Sequence, residues 1–235
     1  MNLKTNDIPE DLQGILEVDF ASSTILKNAF VHRSYLNEHP SFELPSNERL
    51  EFLGDAVLQF LTSAFLYTQY DQDEGLLTNY RSSLVNTVSL AELSRRMNLG
   101  KYLFLAKGEE ANGGRDREYI LANTFEAFLG ALFLEQGIES CKKLLEKVLF
   151  PGLKSIIENH QYRDYKSLFQ EKAQEKFNAT PIYEVQKEWG PDHDKHFEVG
   201  LVVNKKTLSV GEGKSKQKAE QDAAQKGLES LWPQE

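Results

Sequence analysis

Apolar residues recur at helical spacing through most of the first 158 residues, and this pattern predicts a series of helices. We expect helical segments in residues 10–38, from residue 47 to a turn at 71–75, and then in residues 76–98, 119–136 and about 138–158. Ser46 or Asn47 can cap the second of these. Residues 107–115 are polar and glycine-rich, which predicts a flexible loop, and their glycines lack phosphate-loop spacing.

The pattern changes after a polar stretch at residues 159–164, which we interpret as a linker. A helical segment at 165–177 is followed by strand-like segments at 182–189, 197–203 and 206–210, and by a closing helix at 214–231. The sequence therefore predicts an all-α domain at residues 1–158 and a small α+β domain of order α-β-β-β-α at residues 165–235.

Three carboxylates interrupt the apolar pattern of the helix that begins near residue 47. Glu48, Glu51 and Asp55 stand at i, i+3 and i+7 and so share one helix face. The other sides are apolar, which predicts a largely buried helix whose acids lie at the edge of a core. There, like charges repel unless a cation joins them. Spacing alone leaves two interpretations open, a solvated acidic face or a cation site.

A second apolar helix, at residues 119–136, carries Asn123 and Glu126 at i, i+3. Small residues that follow, Ala127, Gly130 and Ala131, would let another helix approach closely. The two helices can then supply Glu51, Asp55, Asn123 and Glu126 to one point. Four oxygen ligands suit Mg²⁺ or Mn²⁺ better than zinc.

Composition bounds the class of protein. The 235-residue chain has 40% hydrophobic residues, a single cysteine (Cys141) and no run long and apolar enough for a membrane span, so we expect a cytoplasmic protein without a membrane partner. The net charge of -9 is uneven, because residues 1–159 hold 15 basic against 23 acidic side chains and residues 160–235 hold 12 against 13. Three lysines, 214, 216 and 218, cluster in the second part, so whole-chain charge does not exclude a nucleic-acid partner.

Several of these segments resemble the conserved blocks of ribonuclease III. The run NERLEFLGD at residues 47–55 looks like the signature of that family. Matching blocks stand in order at residues 29–35 (AFVHRSY), 73–75 (DEG) and 120–127 (ILANTFEA). Residues 165–235 resemble a double-stranded-RNA-binding domain through GPDH at 190–193 and the lysine-rich start of the last helix.

The resemblance implies an endoribonuclease that cleaves both strands of double-stranded RNA by metal-assisted hydrolysis, leaving 5′-phosphate and 3′-hydroxyl ends, in rRNA and mRNA processing. Carried onto this sequence, it implies Mg²⁺, with Mn²⁺ as a possible substitute, on Glu51, Asp55, Asn123 and Glu126. Asp55 and Glu126, together with Glu48 and Glu74, would form the catalytic set. Family members are homodimers, so Phe52 is expected at the subunit interface.

The resemblance also implies how RNA is held. Gln170, Glu171 and His193 would reach minor grooves, and Lys214, Lys216 and Lys218 would contact the phosphates between them. Three lysines at a helix N-terminus oppose the helix dipole, which an anion would relieve. We also count Arg81, on the polar side of residues 76–98, among the RNA contacts. His32, with no nucleophile in view, is interpreted as a hydrogen-bonded structural residue.

Asn123 departs from the resemblance, because the family usually has Asp at this position. An amide oxygen can ligate a cation but adds no charge, so we expect weaker Mg²⁺ binding than with Asp. The alternative to an active enzyme is a catalytically weakened or inactive double-stranded-RNA-binding protein. A different helical metal phosphohydrolase is a third reading, but it gives the C-terminal domain no role.

Overall fold

The computed structural model describes residues 23–160, 162, 164–191 and 194–233. The chain forms two compact units, Met1–Tyr162 and Arg163–Glu235, and each is described by itself. The part of the expected 10–38 helical segment that precedes residue 23 lies outside the described residues. Among the helices that can be described, none is long and apolar enough to cross a membrane.

The first unit is helical. Its helices, in chain order, are α1 (Ser23–Ala29), α2 (Arg33–Glu38), α3 (Glu48–Gln69), α4 (Glu74–Leu84), α5 (Thr87–Arg96), α6 (Lys107–Ala111), α7 (Glu118–Val148) and α8 (Gly152–Glu158). Single 3₁₀ turns at Leu99–Tyr102 and Gly114–Asp116 flank α6. At Gly137 the backbone has φ 77°, so α7 bends there between the two predicted helical segments. Without a Cβ, glycine adopts this left-handed conformation at little cost.

Two glycines let α3 and α7 pack with their backbones in contact. A Cβ built on Gly54 would overlap the carbonyl oxygen of Glu126, and one on Gly130 would overlap the carbonyl oxygen of Leu50. The buried side chains around this crossing include Leu58, Phe125 and Phe128. This close approach brings the carboxylate-bearing turns of the two helices together, as the small residues of the second helix predicted.

Some helix boundaries and surfaces differ from the sequence predictions. The single helix expected at residues 76–98 is two helices, because α4 ends at Leu84 and Asn86 caps the start of α5 by accepting a hydrogen bond from Ser89 N. Asn47 does not cap α3 with its side chain; its buried amide donates to the Ala29 carbonyl at 3.0 Å. The expectation that α3 is apolar and buried nearly all round is also wrong, since Phe52 and Phe60 are 80% and 63% exposed.

The polar segment 107–115, expected to be a flexible loop, is built on α6 and the second 3₁₀ turn. Arg115 holds it in place, because its guanidinium donates to the Gly100 and Leu103 carbonyls, each at 2.9 Å, and to Glu110 at 2.7 Å. Arg117 pairs with Glu109 at 2.6 Å. The spacing of apolar and polar residues does not predict side-chain hydrogen bonds of this kind, so the sequence analysis did not predict that this segment is ordered.

The second unit is α-β-β-β-α, as predicted. Helix α9 (Tyr165–Phe177) precedes an antiparallel sheet of order β1 (Ile182–Trp189), β2 (His196–Val203) and β3 (Lys206–Gly213), and α10 (Lys216–Leu231) closes the chain. Phe197, Val199, Leu201 and Val203 point to the core on one face of β2, which confirms their alternation. Strand β3 is longer than expected, so α10 begins at Lys216 and Lys214 lies before the helix.

Candidate active site and RNA interface

Helices α3 and α7 bring the four expected ligands to neighbouring turns. Glu51 and Asp55 lie one turn apart on α3, and Asn123 and Glu126 lie on the part of α7 that crosses it. Glu51, Asn123 and Glu126 are half-buried, whereas Asp55 is exposed. The solvated-face interpretation therefore fits only part of this acidic face.

Crowding and burial change the protonation of these acids. Burial raises the pKa of Glu126 to about 7, with further contributions from the charges of Asp55 and Glu51. The pKa of Glu51 is raised by burial, then by Glu48 and Asp55, while a hydrogen bond from the Asn123 side chain opposes that rise. A low-dielectric setting with like charges disfavours ionisation, and a bound cation would reverse this effect.

The oxygen donors fit a hard divalent cation. Carboxylate and amide oxygens are the ligands that Mg²⁺ and Mn²⁺ prefer, and the mutual repulsion of Glu126, Asp55 and Glu51 is what such an ion relieves. Within the described part of the chain, no group of three or more His, Cys, Asp or Glu side chains is arranged as a metal site. The Asn123 side chain lowers the pKa of Glu51, and so opposes the effect of burial and of the neighbouring carboxylates.

The other residues expected to act with this cluster lie in different surroundings. Glu48 accepts a hydrogen bond from Ser46 Oγ at 2.8 Å and faces Arg33 at 3.7 Å. Glu74 is an exposed residue in the first turn of α4, beside the N-cap Asp73. Arg81 is half-buried and donates to Ser63 Oγ at 2.8 Å, so its guanidinium is engaged within the helical unit.

A cleft of about 230 Å³ adjoins the acidic cluster. Its lining residues are His32, Arg33, Asn47, Glu48, Glu51, Tyr119, Ile120 and Asn123. Burial lowers the pKa of His32, against the opposing charges of Glu109 and Glu48, so the ring is held in its neutral form. Sequence reasoning did not join Tyr119 or His32 to this cleft, because they approach it from elements distant in the chain.

In the second unit, Gln170 and Glu171 are exposed on α9. Together with Ser167, Gln174 and Glu175 they line an open groove of about 650 Å³. His193, the third expected minor-groove residue, lies outside the described residues. The described part of the expected RNA-reading set is therefore a polar helix face.

The three lysines near the start of α10 have different surroundings. Lys214 pairs with Asp194 at 2.9 Å, and this holds the pKa of that carboxyl below its usual range. Lys216 lies over the Phe197 ring at 5.7 Å, whereas Lys218 is exposed in the first turn of α10. Asp194 was not singled out from the sequence, since only the fold brings it to Lys214. Of the expected phosphate contacts, Lys214 already has a carboxylate partner.

Comparison with known proteins agrees with this architecture. A helical unit with an acid-lined cleft, followed by an α-β-β-β-α unit, corresponds to two family models, Ribonuclease-III-like over residues 22–153 and Double-stranded RNA binding motif over residues 165–231. These define the class as nucleases with a double-stranded-RNA-binding domain.

Relatives extend the match over nearly the whole chain. Ribonuclease 3 of Enterococcus faecalis is 41% identical over 96% of this chain and 98% of the relative, and that of Streptococcus pyogenes serotype M28 is 46% identical over 95% and 97%. A solved nuclease domain of ribonuclease III from Campylobacter jejuni, with structural flexibility in a region involved in dimer formation, matches with TM-score 0.56 and 35% identity, covering 60% of this chain and 98% of that one. The chain belongs to the ribonuclease III family and is an endoribonuclease.

Proposed function

We propose that this endoribonuclease cuts both strands of double-stranded RNA by hydrolysis assisted by Mg²⁺, with Mn²⁺ as a possible substitute. The products would carry 5′-phosphate and 3′-hydroxyl ends, and the reaction would serve rRNA and mRNA processing in the cytoplasm. One observation carries the proposal: Glu51, Asp55, Asn123 and Glu126 meet where α3 crosses α7, with Glu126 held near a pKa of about 7 by burial and like charges.

When bound, the metal would supply a water activated for attack on phosphorus and offset the charge that develops there. Glu51, Asp55, Glu126 and the Asn123 side-chain oxygen would hold it. The Asn123 side chain also lowers the pKa of Glu51, which is the direction in which a bound cation would act. Glu48 and Glu74 would handle RNA or metal nearby.

A cleavage assay with long double-stranded RNA tests this proposal. The native chain should cut in millimolar Mg²⁺ and not in EDTA. Asn123→Asp should reach half-maximal activity at about tenfold lower Mg²⁺, because it adds a charged ligand. Asn37→Asp, at an exposed position on α2, is the matched control and should leave the Mg²⁺ dependence unchanged.

Cutting by Asn123→Asp but not by the native chain would assign this chain to the weakened, RNA-binding alternative. If neither protein cuts at any metal concentration, the metal-assisted mechanism proposed for this site is wrong.

We further propose that two copies of the chain pair through an exposed apolar stripe on α3. Phe52, Ala56 and Phe60 stand at i, i+4 and i+8, and all three are exposed. Burying a phenylalanine in an interface contributes about 2 kcal/mol, and soluble surfaces rarely expose such a stripe without a partner. The similar nuclease domain from Campylobacter jejuni has a region involved in dimer formation, which supports a second copy of this chain as that partner. Paired sites would then serve opposite RNA strands.

Sedimentation velocity tests the pairing. Phe52→Asp should convert a dimer into a monomer at micromolar concentration, because it replaces the most exposed phenylalanine of the stripe with a charge. Val88→Asp on α5 changes a comparably exposed apolar residue outside the stripe and should leave the dimer intact. A native chain that sediments as a monomer at all concentrations would remove the proposal.

A further inference from the structure

His32 has one ring nitrogen committed to the fold. It is the N-cap of α2, and its Nδ1 accepts a hydrogen bond from Ser34 N at 3.2 Å. Ser34 Oγ lies 2.8 Å from the same nitrogen and itself accepts from Ala106 N at 3.1 Å. Because Ser34 Oγ accepts that backbone proton, its own hydroxyl proton is available for His32. Every contact of Nδ1 thus makes it an acceptor.

This network determines the tautomer of the ring. A neutral imidazole has one protonated nitrogen, so an accepting Nδ1 places the proton on Nε2. Nε2 lies on the ring edge away from Ser34 and makes no hydrogen bond to any of the described residues. His32 also lines the cleft beside the acidic cluster. The ring therefore brings an unused N–H donor to that cleft.

The other residues that line the cleft determine which chemical group of a ligand could accept a hydrogen bond from His32. Glu48 and Glu51 supply carboxylate acceptors, and Arg33 lies 3.7 Å from Glu48 and offsets its charge. An anionic oxygen would be repelled by the Glu51 carboxylate. A hydroxyl, by contrast, accepts from His32 and donates to a carboxylate, so it satisfies both kinds of group at once.

We propose that His32 Nε2–H donates to a ribose 2′-hydroxyl of the RNA strand next to the cut, and that the cleft thereby favours RNA over DNA. The position follows from the cleft, which shares Glu51 and Asn123 with the expected metal ligands. The 2′-hydroxyl is the group that distinguishes RNA from DNA at any given site. The inference rests on the proposed function for the identity of the bound strand.

His32→Asn separates the two roles of the residue. Asparagine is a strong N-cap, so its side chain can accept from Ser34 N as His32 does, but it is too short to place a donor where Nε2 lies. His32→Ala loses both roles. His39→Asn is the matched control, since His39 is an exposed histidine at the other end of α2 and is not among the cleft residues.

The test is a thermodynamic cycle between His32→Asn and single 2′-deoxy substitutions that are placed, one at a time, at every position along both strands of a duplex. Affinity is measured by fluorescence anisotropy in EDTA, and kcat/KM in Mg²⁺. His32→Asn should weaken binding of the all-RNA duplex about fivefold, as expected for one lost hydrogen bond, and leave the thermal unfolding midpoint unchanged. On the duplex that lacks the contacted 2′-hydroxyl, the same variant should show no further loss.

A loss that is equal on every duplex would overturn the proposal and assign the donor to a phosphate oxygen. No loss on any duplex, or a loss only in His32→Ala together with a lower unfolding midpoint, would leave His32 a helix cap alone. If the native chain cuts no substrate, the cleavage proposal fails, while the cycle in EDTA still reports on this contact.

Discussion

The α3–α7 crossing of the helical unit and the surface of the second unit hold their carboxylates in opposite ways. In the helical unit, burial and like charges raise the pKa values of Glu51 and Glu126. In the second unit, hydrogen bonds from lysines lower the pKa values of Asp194 and Glu188, with Lys214 and Lys195 as the partners. At the α3–α7 crossing, no cationic side chain of the described residues acts on the pKa of Glu51 or Glu126, whereas Asp194 and Glu188 are paired with lysines at the surface.

The difference indicates what each unit can bind. Acids that repel one another in a half-buried crossing gain stability from a divalent cation, which relieves a cost already present. Lysines paired with carboxylates at the surface can exchange those partners for phosphates at small cost, because exposed ion pairs contribute little. The proposed cation site and the proposed RNA-phosphate contacts would thus use these two charge arrangements in different ways.

The largest expected effect comes from removing one acid of the helical unit. Glu126→Gln should lower kcat/KM for double-stranded RNA by more than about 100-fold, because a neutral amide would replace a charged ligand of the proposed metal. In metal-free buffer the same variant should unfold at a higher temperature than the native chain, since it removes a repelled carboxylate. Circular dichroism at 222 nm in EDTA gives that comparison.

Glu139→Gln is the control for this change, because it alters an exposed glutamate further along α7. It should change neither cleavage nor the unfolding temperature. A metal-free Glu126→Gln protein that is less stable than the native chain would show that the carboxylate is held by favourable contacts, and the contrast between the units would disappear.

The second effect concerns the close helix crossing that crowds the acids. Gly54→Ala should lower the free energy of unfolding by about 3 kcal/mol, because its Cβ overlaps the Glu126 carbonyl and backbone atoms must shift. Gly108→Ala, where a Cβ meets nothing within 4 Å, should be neutral or slightly stabilising. Urea unfolding followed at 222 nm measures both. Equal values for the two variants would mean that the crossing can relax.

Much of this organisation could be predicted from the sequence, because it depends on local spacing. Helical period and small residues indicated that α3 and α7 would present Glu51, Asp55, Asn123 and Glu126 to one place, and alternation indicated the buried face of β2. The order of helices and strands in the second unit follows from the same patterns.

What the sequence could not supply are contacts between residues far apart in the chain. The Ser34 bond to Ala106 and the Arg115 bonds to residues 100–103 determine where His32 and the 107–115 segment lie. Neither has a periodic signal. The sequence pattern predicted a largely buried α3, although Phe52 was expected at the subunit interface. An interface and a core share the same apolar spacing, so the pattern could not show that Phe60 is also exposed.

A smaller effect tests the charge arrangement of the second unit through pH. Asp164 caps α9 and accepts hydrogen bonds from Ser167 N at 3.2 Å and Gln221 Nε2 at 2.9 Å. Burial tends to raise its pKa, but these hydrogen bonds outweigh burial and lower it. Since the folded pKa is below the unfolded value, the ionised carboxyl stabilises the fold above about pH 4, and that contribution is lost as pH falls through the folded pKa.

Asp164→Ala should therefore destabilise the second unit by about 1 kcal/mol at neutral pH, the usual effect of losing an N-cap, and the difference should shrink below about pH 4. Both tryptophans, Trp189 and Trp232, lie in this unit, so urea unfolding followed by tryptophan fluorescence reports on it. Asp164→Asn keeps a capping oxygen and should lose less. A difference independent of pH would contradict the lowered pKa.

The smallest expected effect is a difference in RNA affinity between substitutions of Lys214 and Lys218, which the sequence analysis expected to contact phosphates in the same way. Lys218→Ala should weaken binding of any RNA duplex about fivefold and reduce the slope of log affinity against log salt by about 1, because it removes one phosphate contact whatever the RNA sequence. Lys214→Ala should cost less, since Lys214 must first leave Asp194, 2.9 Å away, before it meets a phosphate. Lys206→Ala, at the exposed start of β3, is the control. If Lys214→Ala and Lys218→Ala weaken RNA binding equally, breaking the Lys214–Asp194 ion pair has no measurable free-energy cost. In that case, pairing with a carboxylate would not weaken a lysine's phosphate contact in this unit.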